Sequence, residues 1–245
     1  MRNLLRTDFL RLLKSRSFYV ALVGATAIVY ACIFFGSSGS PEAKGVSICN
    51  VICSMSVLMT PLFVSGAYML FVSAEFSGGA IRNKMIVGHR RANVYLSWNL
   101  IGLAFGMIVT TASIGTAAIF IALFGDTSGL IADHVIAATV IVICMLISKL
   151  CMSILISVII PGAKGMLFNY LFTYALLMFF VIMYDFAPDS KIVDVLSRCF
   201  PEGQVTSLNV TFMPDRPWLT VLCALAFSAL CAVLGVYVFK RKDLS

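Results

Sequence analysis

The sequence predicts an all-α integral membrane protein with six transmembrane helices, and three observations carry that expectation. Hydrophobic residues make up 60% of the 245 and charged ones only 12%, with a mean hydropathy of +1.00, whereas a soluble domain carries about 25% charged residues. A water-soluble fold of this length has too much surface to cover with so few polar groups. Six uncharged or nearly uncharged runs divide the chain, each long enough for the roughly 20 residues that a spanning helix needs. The cations, lastly, gather on alternate connections. Period-2 alternation is absent, and the runs are far longer than barrel strands, so a transmembrane barrel is set aside.

Taken in order, residues 2–14 place Leu5, Phe9, Leu12 and Leu13 on one arc of a helix, with Asp8, Arg11 and Lys14 away from it. That pattern suits a helix lying in the inner interface, or a charged cap on the first span. The run from Ser17 to Pro41 is too long for a cleaved signal, and no small-x-small site closes it, so it reads as a retained first span at about 17–36. A Gly- and Ser-rich connection leads to the second span, about 50–72. A basic loop, 74–94, precedes the third and fourth spans at about 95–123 and 132–158. The fifth follows at about 165–185. An outer segment, 186–216, contains several prolines, and its Ile192, Val195, Leu196 and Cys199 recur at helical spacing. A short amphipathic helix resting on the outer leaflet, or dipping into it, is expected there. The sixth span is about 218–239. All of this makes one membrane domain over residues 1–245.

With six spans both termini share a side. That side holds 14 of the 18 Lys and Arg residues with three acids; the other holds four cations and eight acids, together giving the formal +7. Both termini are therefore expected in the cytoplasm. The same distribution argues against nucleic acid as a partner, because the cations sit in short segments between apolar runs and not on one solvated face.

Chemistry-bearing motifs are few. No GxxxxGK[ST] occurs, so no phosphate-cradling loop is expected, and no HExxH or GxSxG is present. A catalytic site, a bound cofactor and a resident metal are all expected to be absent. His89 and His134 read as solvated or interfacial residues. Six of the eight cysteines lie inside apolar runs, where a thiol behaves as a small hydrophobe; Cys49 and Cys199 lie nearer the outer ends, and whether they pair stays open. Lys149 alone interrupts the fourth span. It reads as an anchor whose stem reaches the inner headgroups, or as part of a cytoplasmic gate or an anionic-lipid contact. Asp126, Asp133 and Asp185 are expected at the outer mouth, where they would attract a cationic cargo or simply follow the topology bias. Gly102 and Gly106 form a small-xxx-small pair, and Asn99, Ser113, Thr116 and Asn169 are among the in-span polar residues that could bond between helices.

The basic loop carries the most information. Ser77 could cap a short helix from Gly78 to about Val87, with Gly88 ending it; Glu75 could pair with Arg82 or Lys84. Such a helix can be gripped by a soluble partner, or the loop can be a solvated one that only sets topology. The run Glu75-Phe76-Ser77-Gly78-Gly79-Ala80-Ile81-Arg82-Asn83-Lys84, followed by Gly88, a basic residue and Tyr95-Leu96, resembles the signature loop of the ABC-2 class of transporter permeases. Ala80 stands where that family usually has Thr. The layout is similar throughout, and most similar to small bacterial permeases that export peptides or confer immunity to lantibiotics and bacitracin-like antibiotics. The resemblance implies a subunit of the bacterial cytoplasmic membrane whose segment Glu75 to Val87 is a coupling helix docking on a separate ATP-binding subunit, present in two copies, which holds ATP and Mg2+. It implies a second permease subunit, identical or related, paired through spans one and five, and a peptide or lipid-like cargo among the membrane lipids. Arg82 and Lys84 would touch the ATPase and Glu75 would fix the loop. Ile81 and Met85 would fill apolar pockets on the partner or pack back on the bundle. The competing expectation is an ion or small-solute channel or secondary transporter acting alone, which calls for buried charges or helix breaks near the bilayer midplane.

Overall fold

The computed structural model describes residues 2–36, 44–124, 132–187, 190–211 and 217–242. The described residues form ten helices and no strand: α1 Arg2–Leu13, α2 Arg16–Gly36, α3 Lys44–Ser77, α4 Ala80–Ile86, α5 Arg91–Phe124, α6 Ala132–Ile159, α7 Ala163–Phe186, α8 Lys191–Cys199, α9 Pro201–Thr211 and α10 Pro217–Arg241. The protein is thus an all-α, multi-pass membrane bundle. Four stretches among the described residues are long and apolar enough to cross a bilayer: Arg91–Thr116, Val140–Ile159, Ala163–Phe186 and Pro217–Arg241. The two further spans are expected in α2 and α3, helices of 21 and 34 residues whose described side chains form apolar stretches at Arg16–Ile28 and Pro61–Ser77.

α3, α5, α6 and α10 form the centre. Tyr68, Trp98, Phe105, Leu146, Leu150 and Phe239 are buried together there, and the Tyr68 hydroxyl donates to the Trp98 carbonyl at 2.5 Å. The glycine pair of α5 allows close approach. A Cβ on Gly102 would fall 2.9 Å from the Tyr68 ring, and one on Gly106 would fall 2.8 Å from Leu146 and Leu150. Of the in-span polar residues, Asn169 is reached from another helix, by the Ser153 hydroxyl at 3.2 Å. Asn99, Ser113 and Thr116 instead bond back to carbonyls of α5 itself, the usual way an isolated polar side chain is satisfied in oil. α7 and α10 leave most of their surface uncovered, and their outward residues, such as Leu167, Leu171, Leu222 and Val233, are apolar.

At the end of the bundle where α10 finishes, cations reach helix C-termini, whose carbonyls lack partners. Arg91 donates to the carbonyls of Lys240 and Lys242 at 2.9 and 2.7 Å. Lys242 donates to the Val158 carbonyl near the end of α6 and lies 5.2 Å from the Phe76 ring centroid; burial draws its pKa below the ordinary lysine range.

The α8–α9 segment differs from a surface helix. α8 buries Val193, Ser197 and Arg198 and exposes Ile192, Val195 and Leu196, so its apolar face looks outward and much of its inner face is polar. Residues 201–206 of α9 are all buried. The pair forms a hairpin set into the bundle, with Pro201 at the first position of α9, where a missing N–H costs nothing. Gly203 lets the two helices meet: a Cβ there would fall 2.5 Å from Ser197 Cα and 2.6 Å from its carbonyl oxygen.

Candidate functional site

Two buried ionic clusters lie at different depths. The first sits at the end of the bundle that holds the described terminal residues. α3 runs on to Ser77, whose hydroxyl bonds back to the Ser73 and Ala74 carbonyls; it does not cap α4, as the sequence had suggested. The break falls at Gly78-Gly79, where Gly79 takes φ +66°, a left-handed value that suits glycine. α4 ends in a Schellman motif: Gly88 has φ +93°, its N–H reaches the Met85 carbonyl, and the His89 N–H reaches that of Lys84.

Between these two glycine turns, α4 presents Ala80, Ile81 and Lys84 inward, with Met85 half-buried against the core. The Lys84 ammonium sits between two carboxylates, 2.8 Å from Asp8 Oδ1 of α1 and in contact with Glu75 of α3. Arg11 reaches Glu75 Oε1 at 3.1 Å, and the Ser97 hydroxyl donates to Asp8 Oδ2 at 3.2 Å. Two cations therefore balance two anions across α1, α3 and α4, with α5 closing the side; the Lys84 ammonium also lies 6.0 Å from the Trp98 ring centroid. Two sequence expectations change here. Asp8 lies on the buried face of α1 with Leu4 and Leu12, because its partner is lodged inside. Lys84 faces the bundle and not outward. The outward side of α4 is Arg82, Asn83, Ile86 and Val87, the last two 77% and 76% exposed.

The second cluster is built on α6, where Lys149 stands ten residues, about 15 Å of helix, before the end at Ile159. Its side chain does not run toward the headgroups. It is 3% exposed and turns to Glu202 of α9, Nζ to Oε1 at 2.5 Å, and to the Thr173 hydroxyl of α7. Glu202 stands in the first turn of α9, where the helix dipole favours an anion. Nearby, Gln204 donates to the Arg198 carbonyl at 2.7 Å, Arg198 pairs with Asp194 at 2.8 Å, and Tyr184 donates to Ser197 at 2.9 Å. Glu202 Oε2, Asn169 Nδ2 and Gln204 Oε1 are buried without hydrogen-bond partners. Sequence reading missed Glu202 because it lies 53 positions from Lys149, beyond any helical period. The only available signal was that a lone charge in a span requires a partner.

Of the three acids expected at the outer mouth, Asp185 is exposed near the end of α7. Asp126 and the Asp133 side chain lie outside the described residues, as does the Cys49 side chain, so neither an outer acidic cluster nor a Cys49–Cys199 pairing can be placed. Among the described residues no group of three or more His, Cys, Asp or Glu is arranged to hold a metal. No protein-family model matches this chain, and neither does any curated protein.

Proposed function

We propose that this chain is the membrane subunit of an ATP-driven transporter of the ABC-2 class, moving an amphipathic peptide or a hydrophobic, lipid-like molecule. The observation that carries the reading is α4: a seven-residue helix between two glycine turns, clamped inward by Lys84 and outward offering Arg82, Asn83 and two well-exposed aliphatics. Apolar residues so exposed beside a cation suit a protein groove better than water or lipid. In this reading α4 is the coupling helix and α1 lies in the inner interface. Helices α2, α3, α5, α6, α7 and α10 cross the cytoplasmic membrane of a bacterium, with both termini inside. The chain carries no catalytic site; ATP and Mg2+ sit on a separate ATP-binding subunit, used in two copies. A second permease, identical or related, pairs through α2 and α7.

Movement of the ATPase pushes α4, and Lys84 passes the push to Asp8 of α1 and Glu75 of α3 as one body. Lys149 and Glu202 act as a buried gate latch, and Asp185, with Asp126 and Asp133, lines the outer mouth. The test is co-purification. The wild-type chain should retain a stoichiometric ATPase chain, and Arg82→Glu with Ile86→Asp should release it while thermal melting of the membrane chain stays unchanged. A complex that survives both substitutions with its ATP hydrolysis intact removes the docking assignment.

One observation favours a second reading, a solute carrier acting alone: the buried Lys149–Glu202 pair inside the helix bundle, with polar atoms around it left unpartnered, is what a substrate or ion path offers. Transport in vesicles containing only this chain, driven by an ion gradient and lost in Lys149→Met, would select that reading.

A further inference from the structure

The chain at the end of α10 reads Lys240-Arg241-Lys242, and the three cations are placed differently. The Lys242 ammonium is held by the Val158 carbonyl, and the Lys240 and Lys242 carbonyls are taken by Arg91. The partial negative charge of this helix end is thus already answered. Lys240 and Arg241 are exposed instead, and neither is ion-paired with an acid among the described residues. The Arg241 guanidinium lies over the Tyr237 ring, 4.3 Å from its centroid, and that stacking fixes the plane of its fork of donors. Along the same side of α10, Leu230, Val233, Leu234 and Tyr237 form an exposed stripe, opposite the buried Cys231, Gly235 and Phe239. An apolar stripe therefore runs without a break into a stacked arginine and a second cation.

We propose that this surface binds an anionic phospholipid, with the acyl chains along the stripe and the phosphate held by Arg241 and Lys240. The two cations attract the phosphate, and the guanidinium fork can meet two of its oxygens at once. A zwitterionic headgroup carries an ammonium that offsets this attraction, so a lipid of net negative charge is preferred. A free phosphate would leave the apolar half of the surface uncovered, whereas a phospholipid covers both halves. Tyr237, half apolar ring and half hydroxyl, stands between the stripe and the cations, and such rings gather at the junction of chain and headgroup. The cations at this end that close helix termini, Arg91 and Lys242, take no part. The surface lies on α10 and not on α4, so nothing in this inference depends on an ATPase partner.

The experiment uses the full chain in detergent micelles, titrated with phosphatidylglycerol or with phosphatidylcholine of the same acyl chains, and weighed intact by native mass spectrometry. The first phosphatidylglycerol should bind about fivefold more tightly than the first phosphatidylcholine, the ratio expected where one basic side chain meets an anionic lipid. Arg241→Gln with Lys240→Gln should abolish that preference and leave thermal melting of the chain unchanged. Arg16→Gln with Lys164→Gln removes two exposed cations from other helices and should keep it. Equal affinity of the wild-type chain for the two lipids overturns the proposal. So does a preference that survives in the α10 variant, or one lost equally in the control, which would mark a diffuse basic rim and no site. Displacement of the bound lipid by an excess of inorganic phosphate would assign the cations to a free anion and overturn it too. The wild-type comparison stands on its own should a variant fold poorly.

Discussion

Lys149 and Glu202 show what one residue costs when its solvent is oil. Each charge taken alone is expensive at that depth, and their proximity offsets the expense only while both remain. Lys149→Met should therefore destabilise the bundle by about 3–5 kcal/mol, and Glu202→Gln by a similar amount. The double variant should recover most of the loss, a coupling that denaturant titration in detergent micelles can read as a double-mutant cycle; additive losses would mean the two side chains do not meet. The same reasoning separates two neighbours in α4. Lys84→Met leaves Asp8 without a cation and Glu75 with Arg11 alone and should cost about 3–5 kcal/mol, whereas Arg82→Ala, on the exposed side, should stay within about 0.5 kcal/mol. In the sequence alone Arg82 and Lys84 are equivalent cations of one basic loop. Periodicity sorts residues by hydrophobicity, and a buried lysine defeats it.

At the scale of elements, the long helices were legible because charges cut the chain wherever oil ends. The short ones were not. The sequence pattern puts Asp8 on the wet side of α1, whereas Lys84 of α4 holds it on the buried face; in α8, expected to rest on or dip into the outer leaflet, the buried face carries Ser197, bonded to Tyr184, and Arg198, paired with Asp194 one turn earlier. In α8 the exposed Ile192, Val195 and Leu196 suit a lipid surface, while the buried Arg198 keeps its charge paired within the same helix. The hairpin then depends on close helix contact. Gly203→Ala should push α8 from α9 and cost about 1–3 kcal/mol, with faster hydrogen exchange confined to residues 191–207. Uniform acceleration across the bundle would show that the hairpin is not a separate unit.

At the scale of the whole molecule, the two tryptophans report on which surfaces meet lipid. Trp218, at the start of α10, is 58% exposed among apolar neighbours, and Trp98 is fully buried. Brominated lipids should quench Trp218 emission strongly in the Trp98→Phe variant and leave Trp98 nearly unquenched in Trp218→Phe; equal quenching would contradict this bundle. The hairpin also bears on how the chain is made. A segment carrying Arg198 and Glu202 partitions poorly on its own, at a penalty on the order of 3 kcal/mol per charged side chain. Its receptor on α6, α7 and α10 is complete only after the last of these helices has been threaded. Biogenesis must therefore leave residues 191–211 waiting in the aqueous phase until synthesis of α10 is finished, and seat them as the closing act of assembly.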